Sequence, residues 1–160
     1  MASSKRERIQ LAVIAGLLLV TLAMAYKFIL AGSTTPAADG RAAILLEPGQ
    51  RDFVLREMRG FLVGLQQIDD ALAREDMPAV AKASRSLGAG KVHDVPAGLL
   101  GKLPLEFKKL AFGVHSDFDA IADEAERNGG PKRTLAQLSA VLQKCTACHE
   151  SYRFGEAGPQ

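Results

Sequence analysis

The sequence predicts an all-α protein, a four-helix bundle behind a single apolar N-terminal helix. Three observations predict it. Apolar residues recur at steps of 3 and 4 through most of the chain, the period of one helix face. An apolar run occupies the N-terminus, long enough to be a membrane span. No stretch alternates apolar and polar residues as a half-buried strand does. Composition agrees: hydrophobic residues are 48% but aromatics only 6%, without Trp, so Ala and Leu must build the core, and both favour helices. A chain of 160 residues is one domain plus an appendage.

Residues 1–8 form a basic tail around Lys5, Arg6 and Arg8. Residues 9–31 are apolar, broken only by Gln10, Thr21 and Lys27. As a transmembrane anchor, ~22 residues at ~1.5 Å each cross ~30 Å of hydrocarbon. As a signal peptide, Ala23-Met24-Ala25 fits a small-x-small cleavage site. Apolar character resumes at Phe28-Ile29-Leu30, past that site, which favours the uncleaved anchor. Either reading leaves the basic tail in the cytoplasm and exports the rest. Residues 32–50 read as a flexible linker, since Gly32 to Gly40 is small, polar and rich in breakers. Within it Ile44-Leu45-Leu46 is an apolar patch without an assigned place.

Residues 51–160 are the folded domain. Val54, Met58, Phe61, Leu65, Ile68 and Leu72 mark the first bundle helix. Asp76 is an N-cap, with Pro78 in the first turn of a short second helix through Val80 and Leu87. Gly88 to Gly101 is too rich in Gly and Pro for a regular element. A third helix starts near Pro104 and carries Phe107, Ala111, Val114, Phe118, Ile121 and Ala125. Asn128-Gly129-Gly130 stops it, with Gly suited to a left-handed cap. Pro131 opens a fourth helix, whose stripe runs Leu135, Leu138, Leu142, Cys145 and His149, with Cys148 on its flank.

The chemistry is concentrated in Cys145-Thr146-Ala147-Cys148-His149, which holds both cysteines of the chain. Two thiols three apart, followed by an imidazole, are the attachment signature of a c-type haem. One helical turn sets both thiols along one edge of the porphyrin for two thioether bonds. His149 then supplies the proximal nitrogen to iron. A structural zinc site wants four ligands, and this stretch offers three. A redox CxxC normally opens a helix in a βαβ unit, and no such pattern is present. A disulfide across three helical residues has poor geometry. Export agrees with thioether attachment on the far side of the bacterial inner membrane. Net charge is only +2, so nothing points to nucleic acid. No nucleophile–base dyad or phosphate loop points to an enzyme.

The stretch Cys145-Thr146-Ala147-Cys148-His149-Glu150-Ser151-Tyr152-Arg153, on the last helix of such a bundle, resembles the class II cytochromes c, the cytochrome c′ and low-spin cytochrome c556 type. The resemblance covers roughly residues 45–155. It implies one covalent haem c, His149 as proximal ligand, and Arg153 near the proximal side one helical turn on. It places the distal residue on the first helix, where Met gives a low-spin, six-coordinate iron and a bulky apolar group leaves iron open to small gases. Relatives are often dimers, so a homodimer is an implied state.

Met58 sits on the inward stripe in the first half of the first helix and is the expected sixth ligand. Leu62 is the distal plug if Met58 points elsewhere. Met77 reads as packing, His93 as a loop residue and His115 as a flank residue of the third helix. Arg51, Arg56 and Arg59 are candidates to pair with a haem propionate. The expected function is electron transfer by a membrane-tethered periplasmic cytochrome, serving redox proteins or a membrane respiratory complex. The alternatives are a five-coordinate haem that binds NO or CO, and a haem-bearing accessory subunit of a respiratory complex.

Overall fold

The computed structural model describes residues 4–91, 95–127 and 129–156. The chain is mostly helical, with an apolar helix at its N-terminus. Helix α1 (Lys5–Ala25) continues through a π-helical turn (Tyr26–Ala31) into strands β1 (Thr34–Pro36) and β2 (Ala42–Leu46). Helices α2 (Pro48–Ala73) and α3 (Met77–Arg85) follow, then a 3-10 turn (Ala89–Lys91) and the single turn α4 (Leu99–Lys102). Helices α5 (Leu105–Glu126) and α6 (Pro131–Ser151) and strand β3 (Tyr152–Glu156) complete the order.

Helix α1 opens on a capping box. Glu7 N–H donates to the Ser4 hydroxyl at 3.3 Å, and Ser4 N–H donates to the Glu7 carboxylate at 2.8 Å. None of its residues is buried, and Lys5–Ala31 is long and apolar enough to cross a membrane.

Residues 32–50 are not the flexible linker that their composition led us to expect. β1 and β2 form an antiparallel hairpin, with Thr35 opposite Ala43. Its turn uses Asp39-Gly40: Gly40 takes φ 85°, a conformation open to glycine, and Ala37 N–H donates to Arg41 O at 2.9 Å. β2 then pairs in parallel with β3, Ile44 opposite Phe154. Parallel strands need a long crossover, and the whole helical domain supplies it. The expectation of an all-α chain is therefore corrected to a mostly helical one with a three-stranded sheet. Alternation is missing from Ala42-Ala43-Ile44-Leu45-Leu46 because no residue of the strand is exposed.

Helices α2, α3, α5 and α6 share one core. Ile68 and Leu72 meet Val80, Phe118, Ile121 and Val141 there. The caps are those the sequence called for: Ala79 N–H donates to Asp76 at 3.0 Å, Pro104 caps α5, and Pro131 sits in the first turn of α6. Helix α2 starts earlier than expected, at Pro48, on a box made by Glu47 and Gln50. The segment from Gly88 to Gly101 holds the 3-10 turn and α4, the latter entered through Gly98 at φ 75°. At the end of α5, Asn128 lies outside the described residues. Gly129 is buried, and its N–H donates to Glu124 O at 2.8 Å.

The inward face of α6 also differs from expectation. Thr134, Leu138 and Val141 are buried and Cys145 and Cys148 half-buried, whereas Leu135, Leu142 and His149 are exposed. The face is rotated by about one position: Leu138 and Val141 pack into the shared core, while Leu142 and His149 border an open cavity. A second core lies under the sheet, where Ile44, Leu46 and Phe53 pack with Leu99, Leu103 and Phe107.

Candidate functional site

Between the two cores lies a cavity of about 380 Å³. Helix α2 lines it with Met58, Phe61 and Leu65; these half-buried residues are the first half of its apolar stripe, facing a space instead of a helix. Helix α5 contributes Phe107, Ala111, Val114 and His115. Helix α6 contributes Cys145, Cys148 and His149. Leu62, 69% exposed, forms part of the rim and does not plug the interior. An adjoining cavity of about 280 Å³ shares Met58, Phe107, Cys148 and His149 and adds Arg41, Arg51 and Arg153. The site is thus apolar at one end and basic at the other.

Both thiols are free and half-buried. Cys145 packs against the first core and Cys148 against the second, so one turn of α6 bridges the two. Burial pushes both thiols up, and Cys148, with Cys145 beside it, rises to about 11. Both are therefore protonated at neutral pH. Tyr152 meets Phe107 edge-on at 5.5 Å, and burial, Cys148 and Glu106 raise its phenol in that order. Among the described residues no three His, Cys, Asp or Glu side chains converge as a metal cluster. The thiols and imidazole instead line the wall of a larger space.

His149 is exposed, and its backbone is fixed from outside the helix. Arg41 Nη1 donates to His149 O at 3.2 Å and to Tyr152 O at 3.5 Å, closing the C-terminal end of α6. Asp39 holds Arg41 at 2.7 Å and reaches Arg153 at 3.4 Å. The Arg41 hydrogen bonds keep the Asp39 carboxyl down at about 2. Arg153 does not continue the helix by a turn: α6 stops at Ser151, and Arg153 stands in β3 because that segment pairs with β2.

The remaining candidates separate clearly. Met58 shares the cavity with all three residues of the cysteine–histidine motif. Met77 packs on the first core, away from it. His93 lies outside the described residues. His115, expected on a flank, lines the cavity; its Nδ1 lies 2.7 Å from Leu87 O, and its ring tilts on Phe61 at 4.8 Å. Arg51 faces the basic end, whereas Arg56 stacks over Phe53 at 5.6 Å and Arg59 is exposed. Arg41 went unnoticed in the sequence because it stood in the supposed linker. Asp39-Gly40, a short way before Ile44-Leu45-Leu46, was the hairpin signal that marked it. No family model, curated protein or solved structure matches this chain.

Proposed function

We propose that this chain is a c-type cytochrome that passes single electrons, held by α1 at the outer face of a bacterial inner membrane. In this reading α2, α3, α5 and α6 act as the four-helix bundle around one covalent haem. One observation carries it: Cys145, Cys148 and His149 on α6 and Met58 on α2 all line one apolar cavity. Its volume, about 380 Å³, lies within the ~300–1,000 Å³ of small-molecule and cofactor sites.

The donor set suits an iron porphyrin. Cys145 and Cys148 would hold it by thioethers, and His149 and Met58 would hold its iron. The haem supplies the one-electron couple. Phe61, Leu65, Ala111 and Val114 give the site an apolar wall. Arg41, Arg51 and Arg153 offer charge-assisted hydrogen bonds to carboxylate groups at the basic end. With His149 and Met58 both holding the iron, no position would be left for a substrate, which favours electron transfer to redox proteins or a membrane respiratory complex over an enzymatic role. A membrane tether raises the effective concentration at such a partner.

The test is the absorption spectrum of the reduced, haem-loaded protein, with and without CO, for wild type and Met58→Ala. A low-spin wild type blind to CO and a CO-reactive variant are expected. A wild type that binds CO directly would retire Met58 and favour the NO- or CO-binding alternative, for which Phe61 and Leu65 supply an apolar distal wall. A variant still blind to CO would transfer the sixth position to another residue, His93 or His115, the latter on the cavity wall. Co-purification with a large complex in mild detergent would favour the accessory-subunit alternative.

A further inference from the structure

Helix α1 does not join the domain through a slack tether. The Phe28 ring lies so close to α4 that a Cβ on Gly101 would stand 3.1 Å from its Cδ1. Lys108 Nζ donates to Phe28 O at 3.2 Å, and Lys27 Nζ donates to Gly32 O at 2.7 Å. Ser33 N–H then donates to Lys102 O at 2.7 Å. Gly32, at φ 66°, is pressed against the Lys102–Pro104 backbone, where a Cβ would come within 2.5 Å of Lys102 O. Any other residue there would both strain the backbone and collide with it. The join is a packed corner.

Depth follows from helix geometry. At ~1.5 Å per residue, ~20 residues cross ~30 Å of hydrocarbon. Counted from Ile9, the outer edge of the hydrocarbon falls at about Phe28. The element packed on Phe28 is α4, so α4 stands at headgroup depth. Its surface suits that place. Leu99 is buried in the second core, whereas Leu100 beside it is 45% exposed. Lys102, paired with Glu47 at 2.8 Å, ends the turn, Lys108 follows on α5, and Tyr26 lies exposed on the anchor. An exposed leucine at the rim of the larger cavity, on the turn packed against the anchor at this depth, and an exposed tyrosine on the anchor itself match the acyl–headgroup boundary, with the leucine toward the acyl chains.

We propose that α4 and the turn before it form an interfacial foot, seated in the headgroup layer of the bilayer that α1 spans. The domain then stands on the membrane in one orientation, with the end of α6 that carries the cysteine–histidine motif at its membrane side. This rests on the anchor part of the preceding reading and not on its haem. The test uses full-length protein in vesicles of phosphatidylethanolamine and phosphatidylglycerol. Leu100→p-benzoylphenylalanine is compared with Lys132→p-benzoylphenylalanine, at the opposite end of α6, and with Tyr26→p-benzoylphenylalanine as a lipid-contacting reference. All three sites are exposed, so the substitutions leave the cores intact. After irradiation, mass spectrometry is expected to find phospholipid adducts at positions 26 and 100 and none at 132. Absence of an adduct at 100, equal adducts at 100 and 132, or a crosslink from 100 to a second protein chain would overturn the proposal. So would an intact mass showing cleavage after Ala25. The intact mass of wild type and of the Lys132 variant, neither altered at the cavity, reports whether haem is attached. Its absence there would count against the cytochrome reading alone, with the lipid adducts at positions 26 and 100 still read.

Discussion

Replacing Ile44 by Ala tests whether residues 42–46 belong to the folded unit. Ile44 has no exposed surface and packs with Leu46, Phe53, Leu99, Leu103 and Phe107. The substitution removes three carbons, worth ~0.8 kcal/mol each in transfer, or ~2.4 kcal/mol together. The space left behind adds to this, because the β2–β3 pairing holds the backbone in place and limits collapse. A loss of ~2–5 kcal/mol is therefore expected. The assay is urea unfolding in mild detergent, followed by circular dichroism at the helical minimum, with α1 a constant background. Thr35→Ala, exposed on β1, serves as the control and should stay within ~0.5 kcal/mol. Should Ile44→Ala cost no more than Thr35→Ala, the strand is not held against the core, and the hairpin account fails. Because Cys148 and Phe154 pack on the same cluster, Ile44→Ala should also speed alkylation of Cys148 in the haem-free chain.

Two glycines four residues apart on α2 should respond with opposite signs. Gly60 has open space where a Cβ would stand, so Gly60→Ala should stabilise by ~0.5–1 kcal/mol. A Cβ on Gly64 would come within 2.4 Å of the buried Leu87 side chain, so Gly64→Ala should cost ~1–3 kcal/mol in the same urea assay. In the haem-free chain, iodoacetamide labelling of Cys148 should rise only as pH nears 11, against 9.0 for an ordinary thiol. Folding stabilises the protonated form here, so that contribution is complete below pH 9.0 and is lost as pH rises through about 11. The Asp39 latch has the reverse sign. Its carboxyl sits at about 2 in the folded chain against 3.8 unfolded, so wild type should exceed Asp39→Asn in stability above pH 3.8. That difference should close as pH falls through 2, read by acid unfolding of the two proteins.

Local chemistry was legible in the sequence. The apolar steps on α2 and α5, the Asp76 cap, Pro131 in a first turn and the apolar run from Ile9 depend on neighbours within a turn or two; the structure has them, with the N-terminal helix starting earlier, at Lys5. The motif at Cys145, Cys148 and His149 is local too: residue types and spacing carry the haem proposal, and the structure adds that the three line one cavity. Such signals are carried by period and side-chain type, which the chain writes out in order.

Tertiary structure decided the rest, because it depends on what lies opposite. Arg41 reaches His149 across 108 residues, and nothing near Arg41 in the sequence announces that carbonyl. The strand at 42–46 is covered by β3, α4 and α5, so it lacks the alternation by which a strand is recognised. The row of α6 turned inward is the one that packs into the shared core, which put both thiols on the covered face and His149 at its edge. Gly32 reads as a breaker in a loose linker until the Lys102 carbonyl is seen against it; that contact makes a corner of the join between anchor and domain. In each case the local sequence left two outcomes close in energy, and a distant surface, by burying one of them, selected it.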